Sequence, residues 1–247
     1  MPAEPAYLRI ASELRADIAS GAMPAGAKLP SESALMHTHG VSRTVAKWAI
    51  AVLKGEGLVE GRPGSGTYVR SVPRLTRESP ARNLASPTPP FASDAANGGR
   101  SATWEHRSVE TAATSEIAAR LAIEPGDPVT QTTYRFFADA PHPVQLSTSW
   151  EPLFLTEGTS VQWPEEGDVR GVVARMASIG VDITQVEERV ITRPALPEEI
   201  GALGLPRRGT PILQITRTYF AADVPVETAD IVLPSERYEL VYRMSLA

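Results

Sequence analysis

The fold of the chain is decided by four short stretches within its first seventy residues: Leu29-Pro30-Ser31-Glu32, Val41-Ser42-Arg43-Thr44, Glu56-Gly57-Leu58-Val59 and Gly64-Ser65-Gly66-Thr67-Tyr68-Val69. Ser31 and Ser42 can each begin a helix, because a serine hydroxyl accepts a hydrogen bond from a free backbone N–H of the first turn. The glycines of the last two stretches favour turns. The order therefore predicts two short helices followed by a hairpin.

Apolar spacing adds one helix before these two and defines their buried sides. Residues 7–18 carry apolar side chains at positions that share one helix face. The helix that begins at Ser31 is short, since Gly40 closes it. The side chains expected to face inward from the third helix, which begins after Ser42, are Ala46, Ala49, Ile50 and Leu53.

The outward face of the third helix and the tip of the hairpin have the chemistry of a DNA contact. Near its start the helix offers the guanidinium of Arg43, the hydroxyl of Thr44 and the ammonium of Lys47. Such groups can read base edges and bind phosphates in a major groove. Strands are expected around residues 58–60 and 67–70, joined by the small-residue tip Arg62-Pro63-Gly64-Ser65-Gly66, which can approach a sugar-phosphate backbone closely.

The charge distribution assigns nucleic acid to this amino-terminal part. Residues 1–82 contain eleven lysines and arginines and seven acidic residues, which gives +4, whereas the whole chain carries −5. Residues 83–247 therefore carry −9, and phosphate would repel them. A head of only +4 is expected to bind DNA weakly alone, so that two heads are needed.

Residues 7–69 resemble the winged helix-turn-helix head of the GntR family of bacterial transcription regulators, through the four motifs quoted above. The resemblance implies DNA contacts from the start of the third helix and from the wing. Four positions depart from the family pattern: Ser33 stands where arginine is frequent, Val45-Ala46 replaces Thr-Val, and Lys47 replaces an arginine. The candidate DNA-binding residues are Ser33, Ser42, Arg43, Thr44, Lys47, Arg62, Pro63, Gly64, Ser65 and Gly66.

Length and composition predict two domains. The 247 residues, 42% of them apolar, can form a head over residues 1–70 and a second core over residues 101–247. Between them, residues 71–100 are rich in proline and contain Asn97-Gly98-Gly99, which predicts a linker. The chain has no cysteine, no apolar run long enough for a membrane helix and no leader before Tyr7, so we expect a cytoplasmic protein without a membrane partner.

The second domain contains an internal repeat. A β-rich run over residues 130–137, a proline turn and a strand over residues 144–150 return about 83 residues later. Two related helix-and-hairpin halves around one mainly antiparallel sheet are expected, with a further helix over residues 169–179. The complete chain is thus predicted to be α+β.

This second domain resembles the effector-sensing domain of the HutC-type branch of the family, which has a chorismate-lyase-like α/β fold. Two other tails known for such regulators fit poorly. An aminotransferase-like tail needs a lysine for pyridoxal phosphate, but the only lysines are Lys28, Lys47 and Lys54, all in the head. An all-helical metal-binding tail needs several histidines, and this tail has only His106 and His142. We expect no metal and no cofactor.

A small anionic effector would need guanidinium or hydroxyl groups directed into a pocket between the two halves. Arg135 lies in the strand where the family commonly places ligand-binding arginines, and Arg217 lies in the corresponding later strand. The candidate effector-binding residues are Arg135, Ser147, Ser149, Glu188, Arg217, Tyr219 and Glu227.

The leading hypothesis is a homodimeric repressor or activator that places two heads on a DNA operator with twofold symmetry and whose operator affinity is modulated by a small-molecule effector. Two alternatives remain open at this point. One is a DNA-tethered enzyme with a lyase-like second domain, although no nucleophile–base pair is recognisable. The other is an architectural DNA-binding protein that needs no ligand.

Overall fold

The computed structural model describes residues 4–70, 74–78, 90–205 and 209–243. The chain divides into two compact units, Met1–Pro73 and Arg74–Ala247. Among the described residues, no helix has both the length and the apolar character needed to cross a membrane.

The first unit contains the three helices and the hairpin expected from the sequence: α1 (Ala6–Ser20), α2 (Glu32–His39), α3 (Arg43–Gly55), β1 (Val59–Arg62) and β2 (Gly66–Val69). Both predicted serine caps are confirmed. The Ser31 hydroxyl accepts a hydrogen bond from the Ala34 backbone N–H at 3.1 Å, and the Ser42 hydroxyl accepts one from the Val45 N–H at 3.4 Å. Gly40 ends α2 in the left-handed conformation, at a φ of 61°.

The core of the first unit lies between α1, α2, α3 and the hairpin. The four inward positions predicted on α3 are all buried, together with Ile10 and Leu14 of α1 and Leu35 of α2. Because this face of α3 is buried, its other face is left to solvent, and Arg43, Thr44 and Lys47 are exposed.

A third extended segment supports the hairpin. The Leu29 N–H donates to the Thr67 carbonyl at 2.8 Å, and the Val69 N–H donates to the Ala27 carbonyl at 2.8 Å. Strand β2 is therefore paired on both sides, with β1 and with residues 27–29. This pairing orders the base of the wing.

The elements of the second unit are β3 (Leu75–Glu78), α4 (Pro90–Asn97), β4 (Ala102–Ala112), α5 (Ser115–Leu121), β5 (Pro128–Ala138), β6 (Gln145–Pro152), α6 (Leu153–Thr156), α7 (Val172–Ser178), β7 (Gln185–Pro194), α8 (Pro197–Leu203), β8 (Pro211–Ala221), β9 (Val224–Pro234) and β10 (Tyr238–Val241). Six of the strands form an antiparallel sheet with the order β4-β5-β6-β9-β8-β7. A separate parallel pair joins β10 to β3.

The sheet has the two-half organisation that the repeat predicts. Strands β5 and β8 begin and end 83 residues apart, and each half contributes three consecutive strands that meet where β6 pairs with β9. The repeat extends further than the sequence suggested, because an outer strand, β4 or β7, precedes the predicted helix, α5 or α8, in each half. The predicted α+β class with a mainly antiparallel sheet is confirmed.

Two elements lie inside residues 71–100, which were predicted to be a linker. Strand β3 buries Leu75 and helix α4 buries Phe91 and Ala95, all in one cluster with Tyr238 of β10. The prediction missed them because it averaged over a proline-rich composition in which these few apolar residues were outnumbered. Pro90 is no obstacle to α4, since proline is tolerated at the first helical position. Residues 71–73 and 79–89 lie outside the described residues.

Candidate nucleic-acid interface and ligand cavity

The start of α3 displays a cationic surface. The Arg43 side chain is 80% exposed, and its Nε donates to Glu32 Oε2 of α2 at 2.9 Å. This hydrogen bond to Glu32 raises the pKa of the Arg43 guanidinium, which therefore stays charged. Thr44 and Lys47 are exposed on the same helix, and Ser33 is exposed on α2. The predicted helix residues thus lie on a surface that a DNA duplex can reach.

The wing tip is exposed from Arg62 to Gly66, as the sequence predicts. The Arg62 guanidinium lies 4.3 Å from the centre of the Tyr68 ring and donates to Glu60 Oε1 at 3.1 and 3.2 Å. The Ser65 and Tyr68 hydroxyls lie 2.6 Å apart, so Tyr68 also braces the turn. Arg62 is therefore held in position beside the tip.

Two further residues belong to the wing surface. Lys28 is paired with Tyr68 across the short third segment, and its Nζ lies 5.8 Å from the Tyr68 ring centre. The sequence analysis named neither Lys28 nor Tyr68 as a site residue. The segment formed by residues 27–29 is too short and irregular for periodicity to identify it as part of a sheet.

The second unit contains a cavity of about 160 Å³ against one face of its six-stranded sheet. Five strands contribute alternate side chains to its floor: Trp104 from β4, Tyr134 and Phe136 from β5, Gln145, Ser147, Ser149 and Glu151 from β6, Glu227 and Ile231 from β9, and Arg217 and Tyr219 from β8. Other walls come from β3, α4 and residues 164–175. The cavity thus spans both halves of the repeat.

Five of the seven predicted effector residues line this cavity: Ser147, Ser149, Arg217, Tyr219 and Glu227. Glu188 does not line it but lies behind its wall, where it accepts hydrogen bonds from Arg77 at 3.0 and 2.5 Å. It remains a prediction that an effector contacts these residues.

The placement of Arg135 in the pocket is wrong. Its side chain is 50% exposed and pairs with Glu105 at 3.0 Å, whereas the preceding residue, Tyr134, lines the cavity. Successive side chains of a strand point to opposite faces of the sheet. An error of one position in the strand register therefore moves the predicted side chain from the pocket to the outer surface.

Arginine–carboxylate pairs form much of the cavity wall. Arg175 of α7 donates to both Glu151 oxygens, at 2.7 and 3.0 Å, and also to the Val161 carbonyl. Arg217 Nη2 donates to Glu227 Oε1 at 3.0 Å. The sequence reasoning missed Arg175 and Glu151, yet alternation along β6 places Glu151 on the same face as Ser147 and Ser149 and was a usable signal.

Burial sets the protonation of these groups. Burial raises the pKa of Glu227 above its ordinary value, although Arg217 opposes this rise. Burial would lower the pKa of Arg217, but the negative charge of Glu227 outweighs it and the pKa is raised. Burial also raises the pKa of Tyr134, aided by Glu165, so its hydroxyl stays neutral. Among the described residues, no His, Asp or Glu cluster of three is arranged to hold a metal ion.

Comparison with known proteins identifies both units. The sequence profile of the bacterial regulatory proteins of the gntR family matches residues 6–69, and the profile of the UTRA domain matches residues 97–239. The chain belongs to the GntR family. This GntR-family chain therefore combines a DNA-binding helix-turn-helix head with a UTRA domain, the effector-binding domain of these regulators.

Similarity to individual regulators extends over the whole chain. The histidine utilization repressor of Pseudomonas putida is 27% identical over 241 residues, which cover 98% of this chain and 92% of that protein. The transcriptional repressor NagR of Bacillus subtilis is 28% identical, covering 97% of this chain and 95% of the repressor. A crystal structure of a candidate GntR-family transcriptional regulator is 44% identical, covers 99% of both chains and has a TM-score of 0.74.

These relatives are transcription regulators and not enzymes, which removes the DNA-tethered enzyme from the alternatives. The chain is a DNA-binding transcription regulator with an effector-binding domain.

Proposed function

We propose that the chain is a homodimeric repressor that places two heads on an operator with twofold symmetry and is controlled by a small molecule bound in the UTRA cavity. The observation that carries this proposal is the capped start of α3, which presents Arg43, Thr44 and Lys47 on its exposed face. The wing offers a second cationic contact beside it in the same unit. The complete relatives named above as repressors favour repression over activation.

Arg43 and Lys47 have different tasks in this proposal. A guanidinium can grip a guanine with two parallel hydrogen bonds, so Arg43 is the residue expected to read a base. A lysine ammonium acts as a point charge, so Lys47 is expected to bind phosphate and to add affinity without sequence preference. Ser42 contributes by capping α3, which fixes the direction of its first turn.

A dimer follows from the weak attraction of one head. The +4 charge of residues 1–82 is modest, and the remaining −9 is repelled by phosphate. Two heads joined by their second domains would act on one operator with a high effective concentration. Twofold symmetry of the protein then requires two half-sites of opposite orientation in the DNA.

The effector would act through the chain segment that follows the head. Arg77 of β3 and Phe91 of α4 both line the cavity, and β3 begins only two residues after the boundary between the units. A ligand that binds one arrangement of these walls more tightly than the other shifts the protein towards that arrangement. If the two arrangements differ in the spacing of the heads, the shift changes the affinity for the operator. A repressor of bacterial DNA works in the cytoplasm, where we place this protein.

Selection of genomic DNA fragments by the full-length chain tests the proposal. The selected operator should be bound at least about 1000-fold more tightly than a random duplex at the same salt concentration, and its sequence should show inverted half-sites. Sedimentation should give a dimer, free and on DNA. Equal affinity for operator and random duplex would overturn the regulator role, and a monomer on a single half-site would overturn the dimeric arrangement.

A further inference from the structure

One end of the cavity is aromatic. The ring of Phe136 lies 4.7 Å from Phe91, 5.4 Å from Tyr134 and 6.4 Å from Trp104, measured between ring centres. The Tyr134 and Phe136 rings are nearly parallel, at 13°. With Phe91 and Trp104 they make the β4–β5 side of the floor an aromatic, largely apolar wall. Such a wall favours a flat unsaturated group over a hydroxylated sugar, which would lose its hydrogen bonds to water there.

The opposite end of the floor, on β8 and β9, is charged and incompletely paired. Only one hydrogen bond, of 3.0 Å, joins Arg217 to Glu227. Glu227 is 1% exposed, and neither its Oε2 atom nor Arg217 Nε has a hydrogen-bond partner among the described residues. A buried acceptor without a donor is costly unless a ligand supplies one. Glu227 Oε2 therefore calls for an N–H group, and most strongly for a cationic one.

The charges around the cavity argue against an anionic ligand. Each guanidinium that lines the cavity already faces a carboxylate: Arg77 faces Glu188, Arg170 faces Glu165, Arg175 faces Glu151 and Arg217 faces Glu227. The described residues thus leave no surplus positive charge to compensate a buried phosphate or an unbalanced carboxylate.

We propose that the ligand of this cavity is a small molecule with a flat unsaturated ring and a cationic nitrogen, and with a net charge of zero or above. The ring lies against Phe136 and Tyr134, and the nitrogen donates to Glu227 Oε2. If the molecule also carries a carboxylate, the donors available to it are Arg217 Nε, Arg175 Nε and Arg170 Nη1, which have no hydrogen-bond partner among the described residues. Aromatic amines and aromatic amino acids have this chemistry. The ligand class rests on the proposed function only in that the ligand is taken to be the effector.

Four probes of graded charge test this class on the unchanged full-length protein: 2-phenylethylamine, L-phenylalanine, 3-phenylpropionate and glucose 6-phosphate. Dissociation constants are measured by ligand-observed NMR and calorimetry at neutral pH. The amine and the amino acid should each bind at least about tenfold more tightly than 3-phenylpropionate and glucose 6-phosphate, because only they supply a cation to Glu227. Equal affinity, tighter binding of either anion, or no binding of the amine and the amino acid would overturn the proposal.

Variants then localise the contacts. Glu227→Gln removes the charge but keeps the shape, and it should weaken binding of the amine about tenfold or more. The control is Glu105→Gln, which changes an exposed carboxylate that pairs with Arg135 outside the cavity and should leave binding unchanged. Phe136→Leu should weaken the binding of every probe that contains an aromatic ring. If Glu227→Gln does not fold, the order of affinities on the unchanged protein still decides the proposal.

The probe experiment and the operator experiment fail separately. Probe affinities are measured without DNA, so a wrong order overturns the ligand class and leaves operator binding intact. If the protein does not bind an operator more tightly than a random duplex, the regulator role is overturned, and the order of the probe affinities is unaffected. A bound amine that leaves operator affinity unchanged at saturation shows that this ligand class does not act as effector.

Discussion

Arg43 of α3 and Glu32 of α2 form a hydrogen-bonded ion pair, with 2.9 Å between Arg43 Nε and Glu32 Oε2. Both belong to the motifs that decide the fold, and both lie at the start of their helices. Glu32 accepts from Nε only, so the Nη groups remain to grip a base. In the proposed complex, this pair would orient the arginine before DNA arrives and so lower the entropy cost of the proposed contact.

Arg43→Ala should reduce operator affinity about 10- to 100-fold while changing affinity for random duplex much less, because a base contact contributes only at the matching sequence. Fluorescence anisotropy with both duplexes at one salt concentration measures the two affinities. Arg189→Ala is the control, since Arg189 is 79% exposed, lies on β7 and also pairs with a glutamate. An Arg43→Ala protein with full operator affinity would show that Arg43 reads no base.

Lys47→Ala should weaken binding to operator and random duplex alike. If Lys47 neutralises one phosphate, the slope of log K against log salt should become shallower by about 1. Titrations at several salt concentrations give the slope for each protein. A Lys47→Ala chain with the unchanged slope would place this ammonium away from phosphate.

Gly66→Ala should destabilise the wing. Gly66 has a φ of 117°, and an added Cβ would lie 3.0 Å from Lys28 Cε. Backbone strain at such a φ costs a non-glycine residue about 1 kcal/mol or more. Hydrogen exchange followed by mass spectrometry should show earlier exchange of the wing amides. In the matched control, Gly55→Ala, the residue is helical, has no positive φ and has open space around it, so protection there should be kept or increased.

Glu199 makes the stability of the second unit dependent on pH. Burial raises the pKa of Glu199, but hydrogen bonds from Arg193 and from the Leu196 N–H outweigh burial, so the pKa lies below its ordinary value. A carboxyl group whose pKa is lowered by folding stabilises the protein above its unfolded pKa. This contribution is lost as the pH falls through the lower folded pKa.

Glu199→Gln should therefore cost about 1–3 kcal/mol of unfolding free energy at neutral pH, and the difference from the unchanged protein should shrink on acidification below about pH 4. Urea unfolding of both proteins at a series of pH values measures this difference in unfolding free energy. The control is Glu116→Gln on α5, whose exposed carboxylate also pairs with an arginine, Arg120. A difference for Glu199→Gln that is the same at every pH would contradict the assignment to ionised Glu199.

The head could be predicted closely because its signals are local. Serine caps act within one helical turn, apolar spacing identifies one helix face, and Gly40 and Gly66 mark places where the backbone turns. None of these requires knowledge of what lies across the molecule. The short segment at Lys28 was missed because its pairing partner, Tyr68, is distant in sequence.

The cavity could be predicted only in part because its walls meet through long-range packing. Alternation places Ser147, Ser149 and Glu151 together, but it cannot tell which face of β5 is covered, and Arg135 was consequently assigned to the wrong one. Arg77 comes from a segment whose composition resembles a linker. That Arg77 lines the cavity becomes visible only when β3 is seen to pair with β10.

The most direct test of the central claim compares the selected operator with the same duplex in which one half-site has been scrambled, at one salt concentration and with the full-length protein. Two heads that grip DNA through α3 and the wing predict at least about tenfold weaker binding to the scrambled duplex, and a further loss towards random-duplex affinity when both half-sites are scrambled. Equal affinity for all three duplexes would contradict the account.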